Sequence, residues 1–110
     1  GGEMLTQDER DRLARWMGWE PERQRFWFRP GEGPRIKRFT AWKDTWLNPP
    51  TGNDMLMLLE RARELGLDPH LWCHEKLWSA LVGSSFGWNR EDAGDAVASA
   101  VLAMLEDSND

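Results

Sequence analysis

Tyrosine is absent from the 110-residue chain, cysteine occurs once, and basic residues are outnumbered 14 to 19 by acidic ones. Each shortage excludes something. The lone Cys73 cannot form an internal disulfide and agrees with a reducing cytoplasm. The longest nearly apolar run, Ala96 to Leu105, is ten residues and contains Ser99. A bilayer crossing needs about twice that length, so no membrane span is expected. The chain lacks a basic start followed by an apolar stretch, so no secretory leader is expected either. Gly1-Gly2-Glu3 reads as a cloning remnant ahead of a native start at Met4, with one domain over residues 4–107 and a frayed acidic tail at 108–110. A net charge of −5 argues against a duplex nucleic acid as partner, because such domains carry a continuous basic surface.

Chemical motifs are sparse as well. Glycine-rich phosphate loops, the HExxH zinc pattern, GxSxG elbows and EF-hand spacing are all missing. His70-x-x-Cys73-His74 gathers the only soft metal ligands. On a strand the two imidazoles lie about 13 Å apart and the thiol faces the other way. A helix would bring the imidazoles together yet leave the four-ligand shell of a structural zinc incomplete. Neither a metal nor a cofactor is therefore expected. Cys73-His74 lacks a third, orienting group for a nucleophilic role, and no catalytic residue is assigned.

What the chain does have is tryptophan, eight of them with four phenylalanines. The apolar and charged fractions, 40% and 30%, are those of a globular domain, and one of this size gains most from bulky buried rings. Each buried indole also requires an acceptor for its N–H. Eight exceed what one small core easily holds, so two or three are expected at the surface, where such rings serve as contact anchors or stacking platforms.

Thr6-Gln7-Asp8-Glu9 is a capping box opening a short amphipathic helix that Gly18 stops. The aromatic run Arg25–Arg29, the turn-rich Pro30–Pro34 and the segment Arg35–Trp42 predict a hairpin with a five-residue loop. Thr51 or Asn53 caps a second helix, whose stripe is Met55, Leu58, Leu59, Ala62 and Leu65 and whose end is Gly66-Leu67. Residues 68–88 read in two ways, as a helix from Asp68-Pro69 to Gly83 or as strands 70–74 and 77–82 about Glu75-Lys76. A third helix follows Asn89–Asp92, with small residues on several sides that suit close packing against a sheet.

Trp16-Met17-Gly18-Trp19, the Asn48–Asp54 cap and Asp92–Leu102 stand in an order that resembles the phage ABA sandwich domain family of small bacteriophage and prophage proteins. Asn53 intervenes before Asp54, and the closing helix lacks a Cys found in many relatives. The resemblance covers most of the chain and implies helices packed about a small antiparallel sheet, hence strands for residues 70–82. The fold expected is α+β, with three helices on that sheet in the order α-β-β-α-β-β-α. The resemblance implies no reaction.

Charge is unevenly spread. Between Glu20 and Lys43 seven basic residues face three acids, a local +4; the remainder, with seven bases and sixteen acids, carries −9. Cations interleaved with aromatic rings suit an anionic, planar ligand through ion pairing and stacking. Lys and Arg also commonly shield exposed strands from edge pairing. The candidate contact residues are Arg25, Trp27, Arg35, Lys37, Arg38, Trp42 and Trp46. The expected function is that of a non-enzymatic phage-type binding protein in the host cytoplasm, acting on a host protein in a counter-defence role such as inhibition of CRISPR-type immunity. An alternative is a sponge for a nucleotide or cyclic-nucleotide signal, with Trp27 or Trp42 on the base and the neighbouring cations on phosphate. A small enzyme of unknown reaction is the third reading, and a homodimer through surplus aromatics or a free strand edge stays open.

Overall fold

Two reciprocal capping boxes set where the first helices begin. In the computed structural model, which describes residues 5–22, 26–28 and 40–108, α1 spans Gln7–Trp16 and α2 spans Gly52–Glu64. Thr6 Oγ1 accepts the Glu9 amide at 3.1 Å, and Glu9 Oε1 accepts the Thr6 amide at 2.9 Å. At α2 the cap is Thr51, with Asp54 as the reciprocating carboxylate; Asp54 Oδ2 also receives the Leu47 amide at 3.2 Å, tying the preceding turn to the helix. Both helices end in the same manner. Gly18 (φ +82°) and Gly66 (φ +74°) adopt the left-handed conformation that lets Trp19 and Leu67 donate back to Ala14 and Ala62.

Among the described residues six strands form two antiparallel sheets, β1 (Glu20–Glu22), β2 (Phe26–Phe28) and β3 (Thr40–Trp42) in one, β4 (His70–His74), β5 (Leu77–Val82) and β6 (Ser85–Arg90) in the other. The α+β class with three helices is as expected from sequence, and each expected strand pair carries a third strand. Residues 70–82 are strands, not helix. Trp27 pairs with Ala41 across β2 and β3, while the anticipated loop Pro30–Pro34 lies outside the described residues. Tight turns join the second sheet. Glu75 (φ +51°) and Lys76 (φ +67°) both take left-handed backbone, as a type I′ hairpin turn demands, and Gly83 (φ +64°) supplies the positive φ between β5 and β6.

The third helix, α3 (Ala93–Ser108), extends one residue beyond the expected domain end and is the central element. It lies against β5 and β6 and is also packed by α2 and α1. Ala96, Val97, Ala98, Ala100, Val101 and Leu102 are accordingly all buried, which only a helix covered on several sides requires. Its small residues allow an unusually close approach to the sheet. A Cβ on Gly87 would fall 2.2 Å from the Ala96 carbonyl oxygen and 2.8 Å from the Ala100 nitrogen, both backbone atoms. Among the described residues no helix is long and apolar enough to cross a membrane.

Two side chains stitch the layers. Arg10, only 8% exposed, donates from α1 to the Lys43 carbonyl and to Gln7 Oε1. Arg61 of α2 donates to the Trp16 carbonyl at 3.0 Å, satisfying an open acceptor at the C-terminal end of α1.

Gly87→Ala is expected to lower stability by about 3 kcal/mol or more, since backbone cannot yield to the new methyl group. Gly52→Ala, where nothing lies within 4 Å, should be neutral or stabilising by up to about 1 kcal/mol. Thermal denaturation of both variants checks the contrast. Replacing Glu75-Lys76 by Asn-Gly is expected to raise the melting temperature by several degrees, because those residues tolerate positive φ at lower cost.

Candidate functional site on the outer face of the second sheet

Strand alternation sorts the second sheet into two faces. Ala80, Val82, Ser85 and Gly87 are buried toward α3, whereas Phe86 and Trp88, one residue out of phase, are 40% and 55% exposed on the opposite face. Phe86 and Trp88 stack with ring centroids 4.5 Å apart and planes 14° from parallel. Trp72 of β4 meets both edge-on, at 6.3 and 5.8 Å. The three rings thus form one aromatic platform spanning the sheet.

That geometry depends on the strand between. Trp72 and β6 flank β5, about 10 Å apart at ordinary strand spacing, so the rings must lean inward to touch. Ser79, directly opposite Trp72, is small enough to permit it and is left only 4% exposed beneath the rings. Its Oγ accepts the Asn89 amide at 3.0 Å. Asn89 is in left-handed backbone (φ +54°), and between the Ala80–Gly87 and Trp78–Arg90 pairs β6 carries one residue more than β5. This bulge follows Trp88 immediately. One hydroxyl therefore vacates space below the platform and anchors the irregular strand that carries it.

His70 and His74 share the outer face by the same alternation, with their Nε2 atoms 3.1 Å from Asp68 Oδ2 and 3.8 Å from Glu75 Oε1 respectively. Cys73 belongs to the other register and is exposed. Among the described residues no group of three or more His, Cys, Asp or Glu side chains is placed to hold a metal ion.

Where β6 borders α3, a pocket of about 350 Å³ is lined by Phe86, Gly87, Trp88 and Arg90 of the strand, by Ser99, Leu102, Ala103 and Glu106 of the helix, and by Glu9 of α1. Asp95 lies close by. Burial raises its carboxyl above the ordinary range against the opposing pull of Arg90, and Asp92 and Glu9 add smaller repulsions.

The residues expected from sequence to make contacts are distributed differently. Trp27 and Trp46 are 2% and 4% exposed, so neither offers a face to a ligand; this corrects their assignment as contact residues. They belong to the core, where Trp46 packs on Trp19 with centroids 4.7 Å apart. The cation expected beside an aromatic ring is present but internal in purpose, for Lys43 Nζ sits 4.5 Å over the Trp27 ring. Among the described residues no acceptor reaches the buried Nε1 of Trp27 or Trp46, so burial of indole area prevails over satisfaction of the N–H. Trp42 is placed on β3 opposite Phe26, and Arg25, Arg35, Lys37 and Arg38 lie outside the described residues. Among the described residues the exposed indole is that of Trp88, with Trp72 half-buried beside it. Reading from sequence missed β6, although Gly83-Ser84 followed by alternating Phe86 and Trp88 carries a hairpin signal.

No family model matches the chain, and neither the curated proteins nor the solved structures contain a match to it.

Asp95→Asn is expected to stabilise the protein at neutral pH. An acid whose folded pKa is raised contributes fully only below its unfolded value and becomes a liability as pH climbs through the folded one. The gain should therefore shrink as pH falls toward the ordinary Asp range near 3.8, which melting curves of both proteins across pH would show.

Proposed function

We propose that this is a non-enzymatic binding protein whose contact surface is the Trp72, Phe86 and Trp88 platform. The observation that carries the reading is the 55% exposure of Trp88 in a chain that buries Trp19, Trp27 and Trp46 almost completely. Large aromatic rings left in water cost hydrophobic free energy, and clustered ones mark a surface that a partner covers. Aromatic side chains supply wide, rigid contact area at low entropic cost and are enriched where interfaces are tightest.

The motif resemblance to phage ABA sandwich proteins sets the context: a phage-encoded factor that docks on a host protein in the reducing cytoplasm and blunts a defence system. An acidic chain with a small apolar platform suits a partner surface that is basic around an apolar centre. A nucleotide sponge is the competing reading; with Trp27 interred, it would have to stack its base elsewhere.

The test compares Trp88→Ser with Trp19→Ala. Trp19→Ala should cost about 3–5 kcal/mol as a core truncation. Trp88→Ser should cost only about 1 kcal/mol, mainly the lost ring stacking, yet abolish stoichiometric capture of a host protein from lysate. Capture that survives Trp88→Ser refutes the platform. A rise of several degrees in melting temperature with any nucleotide, abolished by Arg35→Glu, would favour the sponge.

A further inference from the structure

The exposed platform identifies a contact face but not the form in which a partner meets it, and the edge of the same sheet supplies that. Within the described residues β6 has a single strand neighbour, β5, so its other edge presents a row of main-chain donors and acceptors. Beside that edge runs the groove between β6 and α3, floored by Ser99, Leu102 and Ala103. A strand edge flanked by a helix, with a groove for alternate side chains, is the arrangement in which an extended peptide adds to a sheet.

We propose that β6 receives an extended, cationic segment of the partner protein as an additional antiparallel strand. This rests on the platform reading above and deepens it. In such a pairing alternate residues of the incoming segment point to opposite faces. One set lies over Phe86 and Trp88, and the other enters the groove beside α3. The first set is apolar, to match the rings. The second carries Lys or Arg, because among the described residues Glu9 and Glu106 line the groove and Asp92 and Asp95 lie within electrostatic reach of its Glu9 and Arg90, against the guanidiniums of Arg12 and Arg90. Of these guanidiniums Arg12 already faces Glu106 at 3.7 Å and Asp8 at 3.4 Å, and Arg90 acts on Asp95. The excess is negative, and a second copy of this chain, itself net −5, is the poorer occupant.

The probe is a heptapeptide of alternating valine and lysine with blocked termini, titrated while tryptophan fluorescence is followed. Saturable binding that perturbs Trp88 is expected, with Trp88→Phe removing most of the signal change. Two N-methylated versions carry methyl groups on alternate amides, one in each phase. One phase should weaken binding about tenfold or more by removing main-chain donors from the shared edge, while the other is tolerated. Glu106→Lys should weaken binding at least about threefold, and the valine–glutamate counterpart should bind far more weakly. Equal binding by all N-methylated forms, equal binding by the acidic peptide, or no binding at millimolar concentration overturns strand addition. So does a β6-mediated homodimer in sedimentation velocity. Loss of host-protein capture in Trp88→Ser, observed alongside any of these, leaves the platform standing and removes only the edge-pairing mode.

Discussion

The approach of α3 to β6 at Gly87 governs the rest of the molecule. With the Ala96 carbonyl oxygen 2.2 Å from where a Cβ would stand, helix and strand meet at backbone distance, and no side chain fits between them. A sheet normally hides its bulky residues beneath the helix that covers it. Around Gly87 the covered face holds Ala80, Val82 and Ser85 and leaves no room for a large ring, while Trp78, on the same face of β5, packs half-buried against the core. The rings of Phe86 and Trp88 fall on the opposite face as a consequence of strand alternation. An Ala-rich helix and an aromatic outer platform are thus two results of one packing decision.

The tryptophans divide along the same line. Trp19, Trp27 and Trp46 fill the interior near the first sheet, and among the described residues no acceptor reaches the N–H of Trp27 or Trp46, in keeping with how strongly indole area is favoured there. Each unpaired donor costs on the order of 1–3 kcal/mol. Burying a large aromatic ring contributes at least as much, which makes the balance tolerable in a small domain. Trp16 and Trp78 pack half-buried against that core, Trp72 is half-buried on the outer face, and Trp88 stays exposed.

The candidate site draws its order from its supports. Ser79 yields room for rings that cross over β5, and its hydroxyl holds the Asn89 amide of the bulge beside Trp88. The bulge in turn leads into the acidic start of α3, where Asp95 lies within electrostatic reach of Asp92, Arg90 and Glu9. Residues 85–106 thus supply Phe86, Trp88, the strand edge and Glu106, while Trp72 joins from β4 and Glu9 from α1. The basic segment between Glu20 and Lys43, prominent in the sequence, contributes Trp27 and Lys43 to internal packing.

Local chemistry determined a good deal. Thr6 with Glu9, Gly18 and Gly66 set helix ends through hydrogen bonds within a few residues that spacing alone reveals, whereas at α2 spacing left Thr51 and Asn53 both open and the carboxylate of Asp54 settled on Thr51. The turn at Glu75-Lys76 was one of two readings of residues 68–88, since neither flanking run alternates and the residues a two-residue turn prefers are missing. Exposure of particular indoles was not legible. Whether a ring is covered depends on what lies across from it, and opposite Trp27 and Trp46 stood other core residues, whereas opposite Trp88 stood only Ser79 and the rings beside it. Composition could announce too much indole for one interior; only the close contact of α3 with Gly87 decided which rings were left outside.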